Sequence, residues 1–348
     1  MKHAFRTFFI MMLVVFCGLY IYGRMIHTAG EPSGIPPAPA EPAFAYAVEF
    51  VQLIAPTPAP TAVPLPLPVE TSAPTATPAP TPFSLVWFSD TQVYPYKYPA
   101  VFRTMANWVL ETQAEHNTLA VLHSGDIIDN HKLAGHWEKA ETAISLLKNK
   151  IPFYSVAGNH DVGAAEPNYK NYFKYAFHDT TQEQMLYEGG VCWAQPLHAG
   201  GTDFLILGLG WQTDTRYLDW VAAVMAQYPE HIVLVVVHSF LYNDGNLTKN
   251  GRLVEKEIID KYPAVRLVLC GHFRGSVRRS KEYDDGRTVN VLMYNFQDDT
   301  SRGLGYLRIL MFNPITRNIA LTTYSPHYDR FNYQRDTEKD TFTLYDAF

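Results

Sequence analysis

Side chains that can bind a metal ion follow five apolar segments of this sequence, each directly after the segment ends. These polar clusters are Asp90-Thr91-Gln92, Gly125-Asp126-Ile127-Ile128-Asp129-Asn130, Gly158-Asn159-His160-Asp161, His238 and Gly271-His272-Phe273-Arg274. A single aspartate or histidine in such a place is usually a helix cap or a loop residue. Five clusters in succession are hard to reach by chance, and carboxylate, amide and imidazole groups together suit a divalent cation. The pattern predicts a metal site that is assembled from loops.

The apolar segments before these clusters have the length and composition of buried β-strands. Strands are predicted at residues 84–89, 118–123, 153–157, 203–209, 231–237 and 266–270. Helical periodicity lies between them, at residues 100–116, 136–149, 214–228 and 251–262. Alternating segments follow near 276–283, 287–296, 304–312 and 318–325, with a hairpin turn at Asp285-Gly286. This order predicts a layered α/β domain with an added antiparallel portion, and open sheets of this kind bind ligands at the carboxyl ends of their strands.

The first 30 of the 348 residues predict a signal segment. An apolar, uncharged run at Phe8–Tyr22 lies between Lys2 and Arg6 on one side and Arg24 on the other. An uncleaved signal anchor is the favoured interpretation, and a signal peptide cleaved near residue 30 is the alternative. Either way the positive N-terminus stays inside. The remainder is therefore expected at the extracytoplasmic face of the cell membrane, or secreted if the signal is cleaved.

Residues 31–82 carry 15 of the 24 prolines, which predicts an extended linker of the polyproline type. The remaining domain, residues 83–348, has 25 basic and 30 acidic side chains and no long basic run. A protein that binds nucleic acid needs a clustered basic face, so no nucleic-acid partner is expected. Cys192 and Cys270 are predicted to be separate buried thiols.

The five polar clusters resemble the motifs of the calcineurin-like metallophosphoesterase family. In order along the chain, they are D-x-Q, G-D-x-x-D, G-N-H-D, a single histidine and G-H-x-R. The resemblance covers most of residues 84–275. The sequence resembles a bacterial extracytoplasmic branch of that family in Gln92 and in three segments of the tail. These segments are Met293–Asp298, Gly305–Leu310 and Thr322–Pro326. The resemblance implies a double-sheet αββα sandwich and two divalent metal ions, Mn, Fe or Zn. It also implies hydrolysis of a phosphate mono- or diester by a metal-bound hydroxide.

The same resemblance implies a set of metal ligands. Asp126 would bridge the two ions. The second site would be completed by Asn159, His238 and His272. Asp90 and Gln92 would belong to the first site, and the glutamine oxygen can still bind a hard cation.

Arg274 occupies a position where the family has a further histidine of the first site, and arginine has no lone pair to donate. Three interpretations stay open. Arg274 could take the place of the first ion and contact phosphate directly. It could turn away and leave a weak first site. It could also mark a degenerate, surface-tethered domain that binds a phosphorylated ligand without hydrolysing it. The first two together are favoured, so an enzyme is predicted.

Other residues near the motifs have candidate roles. His160 is not expected to be a ligand and suits a general acid for the leaving alkoxide. Asp161 could orient a ligand, although a turn or cap role explains it equally well. Asn130, Trp211 and Tyr94 are candidates for substrate contact, with a core or surface position the commoner role for a tryptophan. The expected partner is a phosphorylated small molecule or a cell-surface polymer, and the chain is expected to be a monomer.

Overall fold

The computed structural model describes residues 80–175, 184–211, 215–297, 304–333 and 337–348. The predicted signal segment and residues 31–79 of the predicted linker lie outside this part of the chain. Within it, no helix is both long enough and apolar enough to cross a membrane.

The described residues form strands and short to medium helices in alternation. The strands are β1 Phe83–Phe88, β2 Thr118–His123, β3 Phe153–Ser155, β4 Met185–Tyr187, β5 Cys192–Ala199, β6 Thr202–Leu209, β7 Ile232–Val237, β8 Val265–Cys270, β9 Gly275–Glu282, β10 Thr288–Asn295, β11 Leu307–Asn313, β12 Asn318–Ser325, β13 Arg330–Phe331 and β14 Thr341–Leu344. The α-helices are α1 Val93–Lys97, α2 Pro99–His116, α3 Ala134–Leu147, α4 Asn159–Val162, α5 Lys170–Tyr175, α6 Tyr217–Gln227 and α7 Lys249–Val254. A π-helical turn at Glu255–Ile259 continues α7, and a 3-10 turn lies at Thr337–Lys339.

The strands form two mixed sheets. The first has the order β13-β12-β11-β1-β2-β3, with β14 also paired to β12. The second has the order β4-β5-β6-β7-β8-β10-β9. Strands β1, β2 and β3 are parallel neighbours in the first sheet, and β6, β7, β8 and β10 are parallel neighbours in the second. Parallel neighbours end at the same edge of their sheet, which is where the polar clusters follow.

Alternation along β1 shows how the layers are arranged. Leu85 and Trp87 belong to the apolar cluster that includes Leu234 of the second sheet, so this cluster lies between the sheets. The intervening residues Val86 and Phe88 belong to the cluster formed with α2 and α3. A third cluster packs α6 and α7 against the other face of the second sheet. Helices therefore cover both outer faces, which confirms the predicted two-sheet α/β fold.

The principal predicted elements are present, with ends that differ by a few residues. The hairpin turn at Asp285-Gly286 joins β9 to β10 as expected. Strand β5 was not predicted, because Pro196 and the polar residues around it obscure its pattern, although it pairs with β4 and β6. Cys192 and Cys270 are buried as separate thiols, as expected.

Candidate metal centre

The loops after β2, β7 and β8 bring one carboxylate and two imidazoles to a single point. Oδ2 of Asp126 lies 3.2 Å from Nε2 of His238. The same Nε2 lies 3.2 Å from Nδ1 of His272. One ligand atom from each of these residues lies within 4.8 Å of the other two, and Asp126 and His238 are buried. A carboxylate oxygen and two imidazole nitrogens at one point are a donor set for a transition metal or zinc.

His238 is oriented so that one ring nitrogen faces the centre. Its Nδ1 lies 2.8 Å from the carbonyl oxygen of Ser124. A carbonyl can only accept, so Nδ1 carries the hydrogen and Nε2 directs its lone pair at the centre in the neutral ring. Burial acts to lower the pKa of His238, but the negative charge of Asp126 prevails and raises it to about 9. The centre therefore attracts positive charge, and a bound cation would replace this proton.

His272 is a neutral imidazole at neutral pH. Burial and the adjacent charge of His238 lower the pKa of His272 to about 4. Its backbone has φ of +73°, and its backbone nitrogen lies 3.1 Å from both carboxylate oxygens of Asp90. The left-handed backbone and this contact fix the ring beside His238. A neutral, fixed imidazole is suited to be a metal ligand.

Glycines allow the loops around Asp126 to pack against each other. A Cβ atom at Gly158 would overlap Oδ1 and the backbone nitrogen of Asp126 and would lie 2.8 Å from its Cγ. Gly125 has φ of +98°, and a Cβ there would lie 2.8 Å from Nδ1 of His238. The backbone N–H of His160 donates to Oδ1 of Asp126 at 2.9 Å. The glycines of the two motifs thus let the carboxylate reach its position.

Asn159 provides a test of whether the residues fit a metal ion. Its Oδ1 atom is buried and has no hydrogen-bond partner among the described residues. An amide oxygen that is buried without a donor is costly, and a cation would satisfy it. Together with Asp126, His238 and His272, this oxygen makes a mixed N/O donor set that fits a divalent ion.

Asp90 contacts the backbone of His272 but does not belong to the cluster of Asp126, His238 and His272. It is buried, and its Oδ1 accepts a hydrogen bond of 2.8 Å from the side-chain amide of Asn295. Burial, to which the charge of Asp126 adds, raises the pKa of Asp90 to about 7. A nearby cation would instead favour the ionised carboxylate.

Gln92 is buried beside Asp90 and Asp126. The amide orientation that satisfies its surroundings puts the nitrogen 2.7 Å from the carbonyl oxygen of Asp90 and 3.2 Å from that of Asp126. Its oxygen then lies 3.0 Å from the side-chain nitrogen of Gln297. The amide is therefore held by hydrogen bonds on both sides, and its predicted role as a ligand stays a prediction.

Arg274 follows His272 by two residues and has an exposed side chain. It forms no hydrogen bond or ion pair with any other residue in the described ranges. The guanidinium is thus available to a ligand, which leaves open the three interpretations drawn from the sequence.

His160 lies at the edge of the centre, with 38% of its side chain exposed. Its Nδ1 lies 2.7 Å from the carbonyl oxygen of Asp129 and therefore donates, while Nε2 lies 4.0 Å from Oδ2 of Asp126. Burial disfavours the protonated ring and acts to lower the pKa of His160. The negative charge of Asp126 and the hydrogen bond to Asp129 outweigh burial and raise this pKa. This position and charge suit a proton donor that is not itself a ligand.

The buried carboxylate of Asp161 joins two of the loops. Its Oδ1 accepts from the backbone N–H groups of Ile127 and Ile128 at 2.8 and 3.1 Å, and its Oδ2 accepts from that of Gly158 at 2.9 Å. Burial raises its pKa to about 7 despite these donors. These contacts favour a positioning role for Asp161 over contact with the reacting atoms.

The three predicted substrate-contact residues lie in different surroundings. Asn130 forms a turn, in which its Oδ1 accepts from the backbone of Lys132. Tyr94 is buried in the core, and its hydroxyl accepts from the backbone N–H of Gly305, which favours a packing role. Trp211 is partly exposed and lies against both metal-centre histidines, with ring centroids 5.7 Å from His238 and 5.3 Å from His272. Of the three, Trp211 has the position of a residue that contacts a ligand.

Sequence reasoning missed the residues that support Asp90. Trp87 Nε1 donates to Ser124 Oγ at 3.0 Å, Ser124 donates to Ser89 Oγ at 2.6 Å, and Ser89 donates to Asp90 Oδ2 at 2.5 Å. Asn295 also donates to the carbonyl oxygen of His272 at 3.0 Å, so it connects β10 to two loops. The tail segment that contains Asn295 was recognised by resemblance, but nothing in its pattern indicated this contact.

The structure is an α/β domain in which two sheets lie between helices. A buried carboxylate and two imidazoles form a candidate metal centre where parallel strands end. The model of the calcineurin-like phosphoesterase family matches residues 83–273, and the chain belongs to this family.

The chain is also similar to individual proteins. The chain is 32% identical, over an alignment of 276 residues, to the uncharacterized protein YvnB of Bacillus subtilis (strain 168). The alignment covers 75% of this chain and 21% of that protein. The structure of purple acid phosphatase PPD1 from yellow lupin (Lupinus luteus) has the same fold, with a TM-score of 0.52 and 14% identity. That alignment covers 76% of this chain and 54% of the lupin chain. The chain thus spans about a fifth of the curated relative and about half of the lupin structure.

Proposed function

We propose that the chain is a metal-dependent phosphoesterase that hydrolyses a phosphate mono- or diester at the centre formed by Asp126, Asn159, His238 and His272. The observation that carries this proposal is the convergence of three ligand atoms within 4.8 Å. It is joined by the buried oxygen of Asn159, which has no partner among the described residues and whose chain neighbour His160 donates its backbone N–H to Asp126. Membership of the phosphoesterase family supports the same reaction.

In this proposal the four residues hold one divalent ion, and Asp90 and Gln92 share a second, weaker position with Asp126. Bound Mn²⁺, Fe or Zn²⁺ would supply a water of lowered pKa and positive charge against the phosphate oxygens. Asn295 and Ser89 fix the carboxylate of Asp90 through hydrogen bonds of 2.8 and 2.5 Å.

His160 is proposed to give a proton from Nε2 to the leaving alkoxide. Its Nδ1–H group is occupied by the carbonyl oxygen of Asp129, so Nε2 is the nitrogen that faces the centre. The raised pKa keeps more of the ring protonated near neutral pH. Arg274 is proposed to bind the phosphate oxygens through its free guanidinium, and Asp161 is proposed to position the loops.

The predicted N-terminal segment supports a further proposal on location, which rests on the sequence alone. We propose a monomer tethered to the extracytoplasmic face of the membrane, or secreted after cleavage, that acts on a phosphorylated small molecule or surface polymer. Protease accessibility of the domain in intact cells tests this location.

The activity test uses the full chain, stripped of metal with a chelator and then titrated with Mn²⁺ or Zn²⁺. Hydrolysis of p-nitrophenyl phosphate and of bis(p-nitrophenyl) phosphate is followed. Turnover that returns with metal and is lost in His238→Ala is expected. The matched control is His198→Ala, because 71% of the His198 side chain is exposed on strand β5. Folded protein that binds metal but gives no turnover would refute the proposal.

Arg274→His separates the enzyme from a binding protein. If Arg274 contacts phosphate, the substitution lowers kcat/KM by roughly tenfold, since a charge-assisted hydrogen bond contributes about 1.5–3 kcal/mol. A sharp rise would instead show that the arginine had disabled the first metal position, in favour of the degenerate, ligand-binding alternative.

A further inference from the structure

A cavity of about 530 Å³ opens beside the metal centre. His272 contributes to its wall, so one residue belongs both to the cavity and to the three-residue cluster. Trp211 also lines it while lying against the rings of His238 and His272. Small-molecule sites in proteins have volumes of about 300–1,000 Å³, and this cavity falls within that range.

Aromatic side chains form much of the wall. Phe273 lies edge-on to His272 with ring centroids 4.4 Å apart, and Tyr242 lies 4.8 Å from Phe273. Tyr242 is 39% exposed, so part of its ring is accessible to a ligand. Trp211, Phe273 and Tyr242 therefore surround a space that begins at a proposed metal ligand, and ring faces of this kind favour a flat ring in the ligand.

Polar groups complete the wall on the side of α7. Ser239, Thr248 and Asn250 line the cavity, and the Asn250 amide donates to the carbonyl oxygen of Ser239 at 3.0 Å. Lys249 also lines it, is exposed, and forms no ion pair with any residue in the described ranges. A few hydrogen-bonding groups among aromatic walls suit a ring that carries heteroatoms, and the lysine suits a negatively charged ligand.

We propose that this cavity is the subsite for the alcohol part of the phosphoester substrate, and that this part carries a flat, heteroatom-bearing ring such as a nucleobase. The inference rests on the proposed function, because it assumes that the phosphate lies at the metal centre. It adds the class of substrate, which neither the motifs nor the family match specifies.

The experiment compares two esters that both release a primary 5-alkoxide of a ribose. Adenosine 5′-monophosphate carries adenine at C1′, where ribose 5-phosphate carries a hydroxyl group. Both compounds, and their methyl diesters, are offered to the metal-restored full chain. Base stacking on an aromatic side chain contributes about 1–3 kcal/mol, so a kcat/KM preference of roughly tenfold for the adenosine compound is expected.

Tyr242→Leu should reduce that preference towards one, because it lowers kcat/KM for the adenosine compound more than for ribose 5-phosphate. Tyr345→Leu is the matched control, since Tyr345 is 76% exposed and lies outside the cavity. Equal kcat/KM for the two esters in the unmodified chain would overturn the inference while leaving the proposed hydrolysis intact.

Loss of turnover on every ester would contradict the proposed function, and the cavity is then tested by binding alone. Calorimetry with adenosine and with ribose needs neither phosphate nor catalysis. Binding of adenosine but not of ribose, weakened in Tyr242→Leu and retained in Tyr345→Leu, would support the ring subsite. Absence of adenosine binding would overturn it.

Discussion

Replacing Gly158 by alanine should disable the metal centre by displacing a loop, not by straining the backbone of residue 158 itself. Gly158 has φ of −99° and ψ of −179°, a conformation that alanine adopts freely, so no backbone strain is expected. The added Cβ would nevertheless overlap two atoms of Asp126 and lie 2.8 Å from its Cγ, closer than real Cβ atoms approach their neighbours. One of the two loops has to move to relieve this overlap.

The size of the effect follows from that overlap. Overpacking of this kind costs about 1–3 kcal/mol of stability, and a displacement of about 1 Å at a reacting centre lowers activity by roughly 100-fold. We expect Gly158→Ala to fold with a lower Tm, to bind Mn²⁺ at least tenfold more weakly, and to lose most of its hydrolysis of p-nitrophenyl esters. Calorimetric Mn²⁺ titration, thermal unfolding and initial rates measure these three quantities.

The matched control is Gly135→Ala. Gly135 lies in α3, and a Cβ there would meet no atom within 4 Å. In the first turn of a helix, this change should raise stability by at most about 0.5 kcal/mol and leave metal affinity and activity unaltered. If Gly158→Ala binds Mn²⁺ like the unmodified chain and keeps activity within twofold, the argument that this glycine positions Asp126 is wrong.

Three further predictions test the groups around the centre. Asp161→Asn leaves one of three backbone N–H donors facing an amide NH₂, so the free energy of unfolding should fall by about 1.5–3 kcal/mol in urea titrations. An unchanged unfolding midpoint would contradict the role of Asp161 in joining the two loops. Asn295→Ala removes a donor to Asp90 and should weaken metal binding by roughly 10- to 100-fold, with binding at the original affinity as the opposing result. The negative charge of Asp126 helps to raise the pKa of His160. In the metal-free chain that pKa should therefore exceed 6.5 by NMR and should fall on addition of Zn²⁺, which cancels the charge; a pKa that does not move would place the ion elsewhere.

The chain's local chemistry was sufficient to predict most of the elements and the motif residues. Apolar segments of strand length, such as those at Thr118–His123 and Ile232–Val237, are buried wherever they pack, so their pattern predicts strands without knowledge of their neighbours. The polar residues directly after them were predicted to meet because parallel strands share an edge. Asp126, His238 and His272 do meet, within 4.8 Å.

Contacts between distant segments needed the tertiary structure, because no local pattern encodes which partner a side chain reaches. Asn295 donates to Asp90 across 205 positions of sequence, and the amide in MYNFQD looks like any strand-end asparagine. Tyr94, a predicted substrate-contact residue, is buried in the core next to the helices, and its hydroxyl accepts a hydrogen bond from Gly305. The cavity formed by Trp211, Tyr242 and Phe273 likewise joins three separate loops. The sequence thus determined most of the secondary structure and the candidate ligands. The hydrogen bonds that hold these ligands in place, and the adjoining cavity, depend on how the two sheets pack.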